Sequence, residues 1–588
     1  MNYSPTSFFC KGKGFASNGF MEKTTHAAEC KISLSRSIYL LLNRMEWVFT
    51  GVTGIGLMVI FFTELILCLT PPISRDALIH HLAIPKLWIR HGGWFDTPWA
   101  DFSYFPMNVD LLYLVPLMFG NDVLPAFIHM LFGWGTGYLV YRYLRDREGR
   151  TWGLLGLLIF ASTPMVMRLS VTAYVDLGMI FFTTASILAY LRWREGGYGE
   201  AKWLYLSAVC MGLAAGTKYN AFITWVFLNG AVCFLYARDT GRQVQALRWG
   251  GVFFLVALAV VSPWLVKNLV LKANPVYPLI DSVFSFMHGG REPAAFLFAG
   301  DVESRGFSLI RNRVLIYGEE AWQILILPLR IFFEGRDHSP QHFDGILNPL
   351  FALAIPLAFP GTRKRPRIFF LCLILFVFTV SALTADLRIR YILAILPFAT
   401  ILAVMGIRNL LDWLERRLRG AHRAAQGLVM TGVALLIVAN LVYLGNLYAG
   451  IRPLPYIMGQ ESRDDFLSRQ VGSYPAVAFI NRNLPQDAVV YLLYLSGRGY
   501  YLEREYLHHA GLEIAIVKAM GRASADAATM SSFLRSLGGT HLLVQEGLLV
   551  KAIHDNIPED AAGNVLKTLA QSLIKVYESN GHAVYQIR

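Results

Sequence analysis

The sequence predicts a polytopic α-helical membrane protein of about eleven transmembrane helices that closes with a small C-terminal α/β domain. Three observations carry that prediction. Of the 588 residues 16% are charged and 55% hydrophobic, against roughly a quarter charged in an ordinary soluble chain. Apolar runs near the roughly 20 residues a helix needs to cross a bilayer recur from Trp47 almost to Tyr448, and their continuous, non-alternating character excludes a barrel. Beyond Tyr448 the pattern changes to short strand-like and amphipathic stretches.

Residues 1–44 are polar and carry Lys11, Lys13, Lys23, Lys31, Arg36 and Arg44. They are too long before the first apolar run for an ordinary signal peptide and are expected as a cytoplasmic extension, with Met21 and Met45 as alternative starts. The transmembrane domain, 45–448, is expected to hold spans near 47–70, 122–141, 152–168, 177–191, 203–216, 220–237, 250–270, 346–360, 368–385, 391–407 and 427–448. Gly133/Gly137 and Gly212/Gly216 have the small-xxx-small spacing of close helix packing. After a linker in "RPLPYIMGQESRDD", the domain 449–588 reads as strands at "AVVYLLYLS" and "THLLVQ", helices at "YPAVAFINRNL" and "AAGNVLKTLAQSLIKVY", and a hairpin across Asn580-Gly581.

A net charge of +13 could suggest nucleic acid, but most Lys and Arg sit in short clusters between apolar runs, so the charge reports topology instead. Nineteen cations lie in the clusters around Arg142–Arg150, Arg192–Lys202, Arg238–Arg248, Arg363–Arg367 and Arg408–Arg423, against four in the intervening short loops. That excess marks the cytoplasmic side and puts the amino terminus inside. The loop 71–121, the turn 169–176, the segment 271–345 and the C-terminal domain then lie outside. The six cysteines show no metal-type spacing, and neither a phosphate-binding glycine loop nor HExxH or CxxC is present.

Candidate chemistry therefore faces outward. In "SRDALIHHLAIPKLW" helical spacing puts Leu78, Leu82, Pro85 and Ile89 on one stripe and Asp76 with His80 on another, which predicts a short helix on the outer membrane surface. Asp76 is a carboxylate where water meets headgroups, able to take a proton from a hydroxyl; the plainer alternative is a cap or an ion pair with Arg75. His80 and His81 are adjacent, point about 100° apart and cannot readily share one metal, so hydrogen bonding is their expected role. Asp176 opens an apolar run, either as a helix cap or as a functional carboxylate. Lys218, Lys267, Arg388 and Arg390 sit outside against the positive-inside tendency and invite an anion such as a phosphate; snorkelling or carboxylate pairing is the alternative. Glu64, inside the first span, has no assigned partner.

The order of an acidic residue after the first span, "HLAIPK", "FP", "YVDL", "GTKYNA", "NPVYPL" and "RY" followed by a proline resembles the bacterial C-type (GT-C) membrane glycosyltransferases, related to protein O-mannosyltransferases and the lipid A aminoarabinose transferase. The resemblance covers about residues 45–448. It implies an enzyme of the bacterial inner membrane that moves a sugar from a polyprenyl-phosphate carrier, with inversion, to a cell-envelope acceptor outside the cytoplasm. It implies catalytic roles for Asp76 and Asp176 and carrier-phosphate contacts for Lys218, Arg388 and Arg390; beside it, the helix carrying His80, His81 and Lys86 is expected to ride the outer surface and shape the entrance. One departure is Ala77, where many relatives have a second acidic residue, and a divalent cation is left open. The alternatives are a polysaccharide ligase or polymerase, a transporter of a lipid-linked substrate, and a non-catalytic scaffold. A transporter would favour repeat symmetry and polar residues at span centres.

Overall fold

The computed structural model describes residues 49–281, 283–284, 311–360, 365–384, 387–418, 420–509 and 511–588; the extension expected at 1–44 lies outside them. The chain divides into Met1–Gly56 and Leu57–Arg588. Of the first unit the described residues are helical, and the second holds everything discussed below.

The protein is a multi-pass membrane protein. Six described helices are long and apolar enough to cross a bilayer: α1 (Phe49–Cys68), α9 (Ala221–Thr240), α10 (Gln243–Lys272), Pro366–Thr384, Ile389–Arg417 and His422–Ile451. A seventh span results if α5 (Arg150–Ala161) and α6 (Pro164–Ser170), bent by 69°, count as one. Pro164 accounts for the break, because the residue before a proline is pushed out of the α region and Thr163 is extended. Between these run α4 (Leu124–Glu148), α7 (Asp176–Glu195) and α8 (Lys202–Ala215).

The span expected at 346–360 does not form. That stretch holds only the five-residue helix Leu350–Ala354 and a 3₁₀ turn at Pro356–Ala358. Pro349, Pro356 and Pro360 remove three amide donors from it. Its backbone packs instead on Leu396–Arg417, where a Cβ on Gly406 would stand 1.9 Å from the Ala354 carbonyl. The expected glycine packing is present at Gly212, where a Cβ would meet the Ala257 carbonyl of α10 at 2.6 Å.

The first outer segment contains a single π-helical turn, Ala77–His81, followed by α2 (Ala83–Arg90) and α3 (Asn108–Met118). The expected surface helix is thus corrected: Ala77 to Leu82, Ile84, Leu87 and Trp88 are all buried, whereas Ile89 is exposed. The cause lies in the C-terminal part of that second unit, residues 453–588, called the C-terminal unit below. Its five-stranded sheet has the order β2-β1-β3-β5-β4, with β1 (Val489–Leu493), β2 (Glu505–Leu507), β3 (His541–Gln545), β4 (Leu573–Ser579) and β5 (His582–Ile587). Strand β1 runs parallel to β2 and β3, and β5 antiparallel to β3 and β4. The β4–β5 hairpin turns at Asn580-Gly581 as expected, both residues at positive φ. By strand alternation, Tyr491, Leu493, Leu542 and Val544 face the helices 513–572. Val490, Leu492, Leu543 and Val584 share the other core with Ile84, Leu87 and Trp88 of α2 and with the helix Tyr474–Asn483.

The expected linker also proves structured, forming the helices Pro453–Ile457 and Arg463–Gln470. Ser462 caps the second by accepting from the Asp465 amide, and Arg463 reaches Asp122 at 2.5 Å.

Candidate active site

Four of the residues singled out from the sequence meet in one cluster, each delivered by a different segment. Asp76 ends the stretch leaving α1, Asp176 is the first residue of α7, Lys218 follows α8, and Arg390 lies in the 3₁₀ turn Ile389–Ile395. Arg390 Nη1 is 2.6 Å from Asp76 Oδ2, and its Nε is 3.8 Å from Asp176 Oδ1. Lys218 Nζ donates to the same Asp176 Oδ1 at 2.6 Å. The Asp176 side chain is fully buried and its Oδ2 has no hydrogen-bond partner, whereas Asp76 and Arg390 keep 19% and 21% exposure. Asp76 is thus the more exposed of the two carboxylates, and Asp176 the one in contact with both cations.

Burial alone would raise the proton affinity of Asp76. The Arg390 guanidinium outweighs it and holds the carboxyl well below the usual carboxylate range. Asp76 is further tied through its amide, which donates to Tyr174 Oη at 3.2 Å, while the Arg390 guanidinium lies 5.4 Å from the Tyr174 ring.

The other predicted residues divide. His81 Nδ1 lies 2.7 Å from Asp110 Oδ1, and His80 stacks on Phe102 at 4.5 Å with its Nδ1 buried and unpartnered. The π turn, closed by Leu82 N to Ala77 O at 3.0 Å, adds a residue to the turn that carries both histidines. Burial pushes both imidazoles down to about 3, so both are neutral at physiological pH. Lys86 reaches away from the cluster and donates to the Tyr500 carbonyl of the C-terminal unit at 2.8 Å. Its burial, with Arg90 nearby, holds it down to about 8. Arg388 pairs with Asp344 at 3.5 Å, in a second group where Arg168 meets Asp337 at 2.7 Å and Tyr443 donates to Asp337 at 2.6 Å. Lys267 donates to the Ser103 carbonyl at 2.6 Å, and Glu64 accepts from Trp134 Nε1 at 2.9 Å.

Sequence reasoning missed Asp110 and Tyr174. Asp110 is a lone acid inside the apolar stretch "NVDLLYLVP", the same signal that exposed Asp176, and Tyr174 stands two residues before Asp176. For a metal, no three His, Cys, Asp or Glu side chains converge among the described residues, and Asp76 and Asp176 are held by cations.

The architecture is similar in fold to solved membrane transferases, and part of the chain matches a family model. Residues 106–266, which include Asp110, Asp176 and Lys218, match the model of the dolichyl-phosphate-mannose-protein mannosyltransferase family. Among solved structures, ArnT from Cupriavidus metallidurans in the apo state superposes with a TM-score of 0.50 at 15% identity, covering 91% of this chain and 98% of that one. The same protein bound to undecaprenyl phosphate gives 0.50 at 16% identity over the same shares. The Archaeoglobus fulgidus oligosaccharyltransferase tethered to an acceptor peptide gives 0.50 at 13% identity, over 91% of this chain and 74% of that one. At these identities the likeness is one of fold. No curated protein sequence matches the chain.

Proposed function

We propose that this protein is an integral membrane glycosyltransferase that moves a sugar from a polyprenyl-phosphate carrier to a hydroxyl of a cell-envelope acceptor, on the outer side of the bacterial inner membrane. The convergence of Asp76, Asp176, Lys218 and Arg390 supports this reading most directly. Asp76 is the general base, Arg390 and Lys218 hold the carrier phosphate, and Asp176 holds those cations in place. The amino terminus is cytoplasmic and 449–588 lies outside, over a transmembrane domain of 45–448.

The chemistry needs three things: a base for the acceptor, cations for the departing phosphate, and shelter from water. The acceptor oxygen bonds to the anomeric carbon as the carbon–phosphate-oxygen bond breaks. The phosphate leaves with the bonding pair and the acceptor proton passes to Asp76. A carboxylate paired with Arg390 is a weak base. When a phosphate draws the guanidinium toward itself, the counter-charge on Asp76 weakens and burial raises its proton affinity. Donor binding thus arms the base, and Asp76 abstracts a proton only in the loaded enzyme.

The test is transfer of labelled sugar from polyprenyl phosphate by the purified protein in nanodiscs. Asp76→Asn should lower the rate by about 10²- to 10⁴-fold with expression unchanged. Full activity of that variant would remove Asp76 as the base. Use of a diphosphate-linked glycan instead would favour the ligase or polymerase, and movement of the lipid without transfer would favour the transporter.

A further inference from the structure

The loop Leu495–Leu502 of the C-terminal unit clamps the segment that carries Asp76. Arg75, immediately before Asp76, donates from Nη2 to Ser496 Oγ at 3.0 Å. Leu78, two residues after Asp76, accepts from the Tyr500 amide at 3.2 Å. Tyr501 Oη donates to the Pro72 carbonyl at 2.7 Å. The two bonds at Ser496 and Tyr500 bracket Arg498 on one side and Asp76 on the other, and the Arg498 guanidinium is within electrostatic reach of Asp76 and Tyr174. Arg498 is partly buried, its Nε has no hydrogen-bond partner, and no carboxylate pairs with it among the described residues.

Its neighbours in the site differ. Arg390 and Lys218 already serve Asp76 and Asp176, and the four charges sum to zero. Even with Arg390 and Lys218 turned to the phosphate, a cluster that sums to zero leaves the charge of an entering phosphodiester, and the second negative charge that grows on it as the sugar departs, without a net counter-charge. An uncommitted guanidinium can. Burial, reinforced by the positive charge of Arg75, holds the Arg498 pKa below the usual guanidinium value, with Tyr174 and Asp76 acting in the opposite sense, in keeping with a cation that lacks its counter-ion.

We propose that Arg498, lent by the C-terminal unit to the Asp76 site, contacts a substrate anion of the phosphate type, on the lipid-linked donor or on the acceptor. This rests on the glycosyltransferase reading above. It gives the C-terminal unit a direct part in the reaction.

The experiment uses the full-length protein in nanodiscs, comparing wild type, Arg498→Gln and Arg498→Met. Undecaprenyl phosphate binding is followed by thermal shift, and the KM for donor and for acceptor by transfer of labelled sugar. A substitution that removes one charge-assisted contact should weaken one of these by about ten- to a hundredfold. Weaker undecaprenyl phosphate binding with a raised donor KM places the anion on the donor, and a raised acceptor KM alone places it on the acceptor. If both variants fold and match wild type in all three, or if neither folds, Arg498 is not a substrate contact. If wild type itself neither binds undecaprenyl phosphate nor transfers sugar, the glycosyltransferase reading fails and this proposal with it.

Discussion

Removing Arg390 tests whether Asp76 and Asp176 are held by one shared cation. Arg390 Nη1 and Asp76 Oδ2 stand 2.6 Å apart, a separation at which Coulomb attraction at an effective dielectric near 20 exceeds about 4 kcal/mol. Most of that is cancelled by desolvation, and the 21% and 19% exposure of the two side chains reduces it further, leaving a coupling of about 1–2 kcal/mol. The single variants should be unequal. Asp76→Asn leaves Arg390 its 3.8 Å contact with Asp176 and should cost about 1 kcal/mol. Arg390→Ala leaves Asp76 without its ion-pair partner and the fully buried Asp176 with Lys218 alone, and should cost about 2–4 kcal/mol. The double variant should be more stable than the sum of the singles by the coupling, because Arg390→Ala no longer strands a charged Asp76. Reversible unfolding of the four proteins in the same detergent, at one ionic strength, gives the cycle. Strict additivity would mean that the pair does not interact in the membrane protein and that Asp76 is not restrained by Arg390. Arg390→Ala should also raise the donor KM by about tenfold or more, the loss of one charge-assisted contact.

Other predictions concern docking, acid stability and topology. Trypsin added from outside should leave the 453–475 stretch of the wild type uncut, and Arg463→Ala, which frees Asp122 from its 2.5 Å partner, should make it cleavable. Uncut Arg463→Ala would show that the contact does not hold the docked arrangement. His80 titrates near 3 in the folded protein against 6.5 ordinarily, so the unfolded chain binds the proton first and stability falls as pH drops from 6.5 toward 3. His80→Leu should therefore resist acid unfolding by an amount on the order of a few kcal/mol at pH 4.5, with little gain at pH 7.5; equal acid sensitivity of variant and wild type would refute a neutral buried imidazole. A periplasmic reporter fused after Tyr448 should be active and one fused after Arg367 inactive, and the opposite pattern would invert the assigned topology.

The site was legible where a single residue broke a local rule. Asp76, Asp176, Lys218 and Arg390 stood out as ionisable groups at the ends of apolar runs, where an unpaired charge is costly and implies a partner. The pairing itself was not legible, because partners come from segments as far apart as Asp76 and Arg390 and no local spacing encodes them. Arg388 and Arg390, two residues apart, go to different clusters, as residues two apart at a helix start must when only one faces inward. The π turn escaped because periodicity arguments assume 3.6 residues per turn and the extra residue leaves no mark in the pattern. Two errors had signals in plain view. Three prolines between 349 and 360 argued against a span there, and Ser462 before Asp464 and Asp465 is a helix start inside the supposed linker.

The C-terminal unit supplies what the sequence around Asp76 cannot. The π turn Ala77–His81 is five residues long and α2 eight, both far below the length at which an isolated helix is stable in water. Nothing within the segment 71–93 can hold Asp76 at a fixed height above the bundle. The sheet does so from outside, by burying Ile84, Leu87 and Trp88 against Val490, Leu492, Leu543 and Val584, which is worth about 1.5–3 kcal/mol for each of the three large side chains as an upper estimate. Lys86 and Arg90 then tie α2 to the carbonyls of Tyr500 and Leu502 at 2.8 and 2.9 Å, so the polar face of the short helix is docked as firmly as its apolar face. Because the same loop reaches both α2 and the residues flanking Asp76, loosening the sheet should loosen the proposed base. Activity should therefore depend on the C-terminal unit even for a substrate that never touches it, and a protein cut within 453–475 should lose the Asp76–Arg390 coupling before it loses its transmembrane bundle.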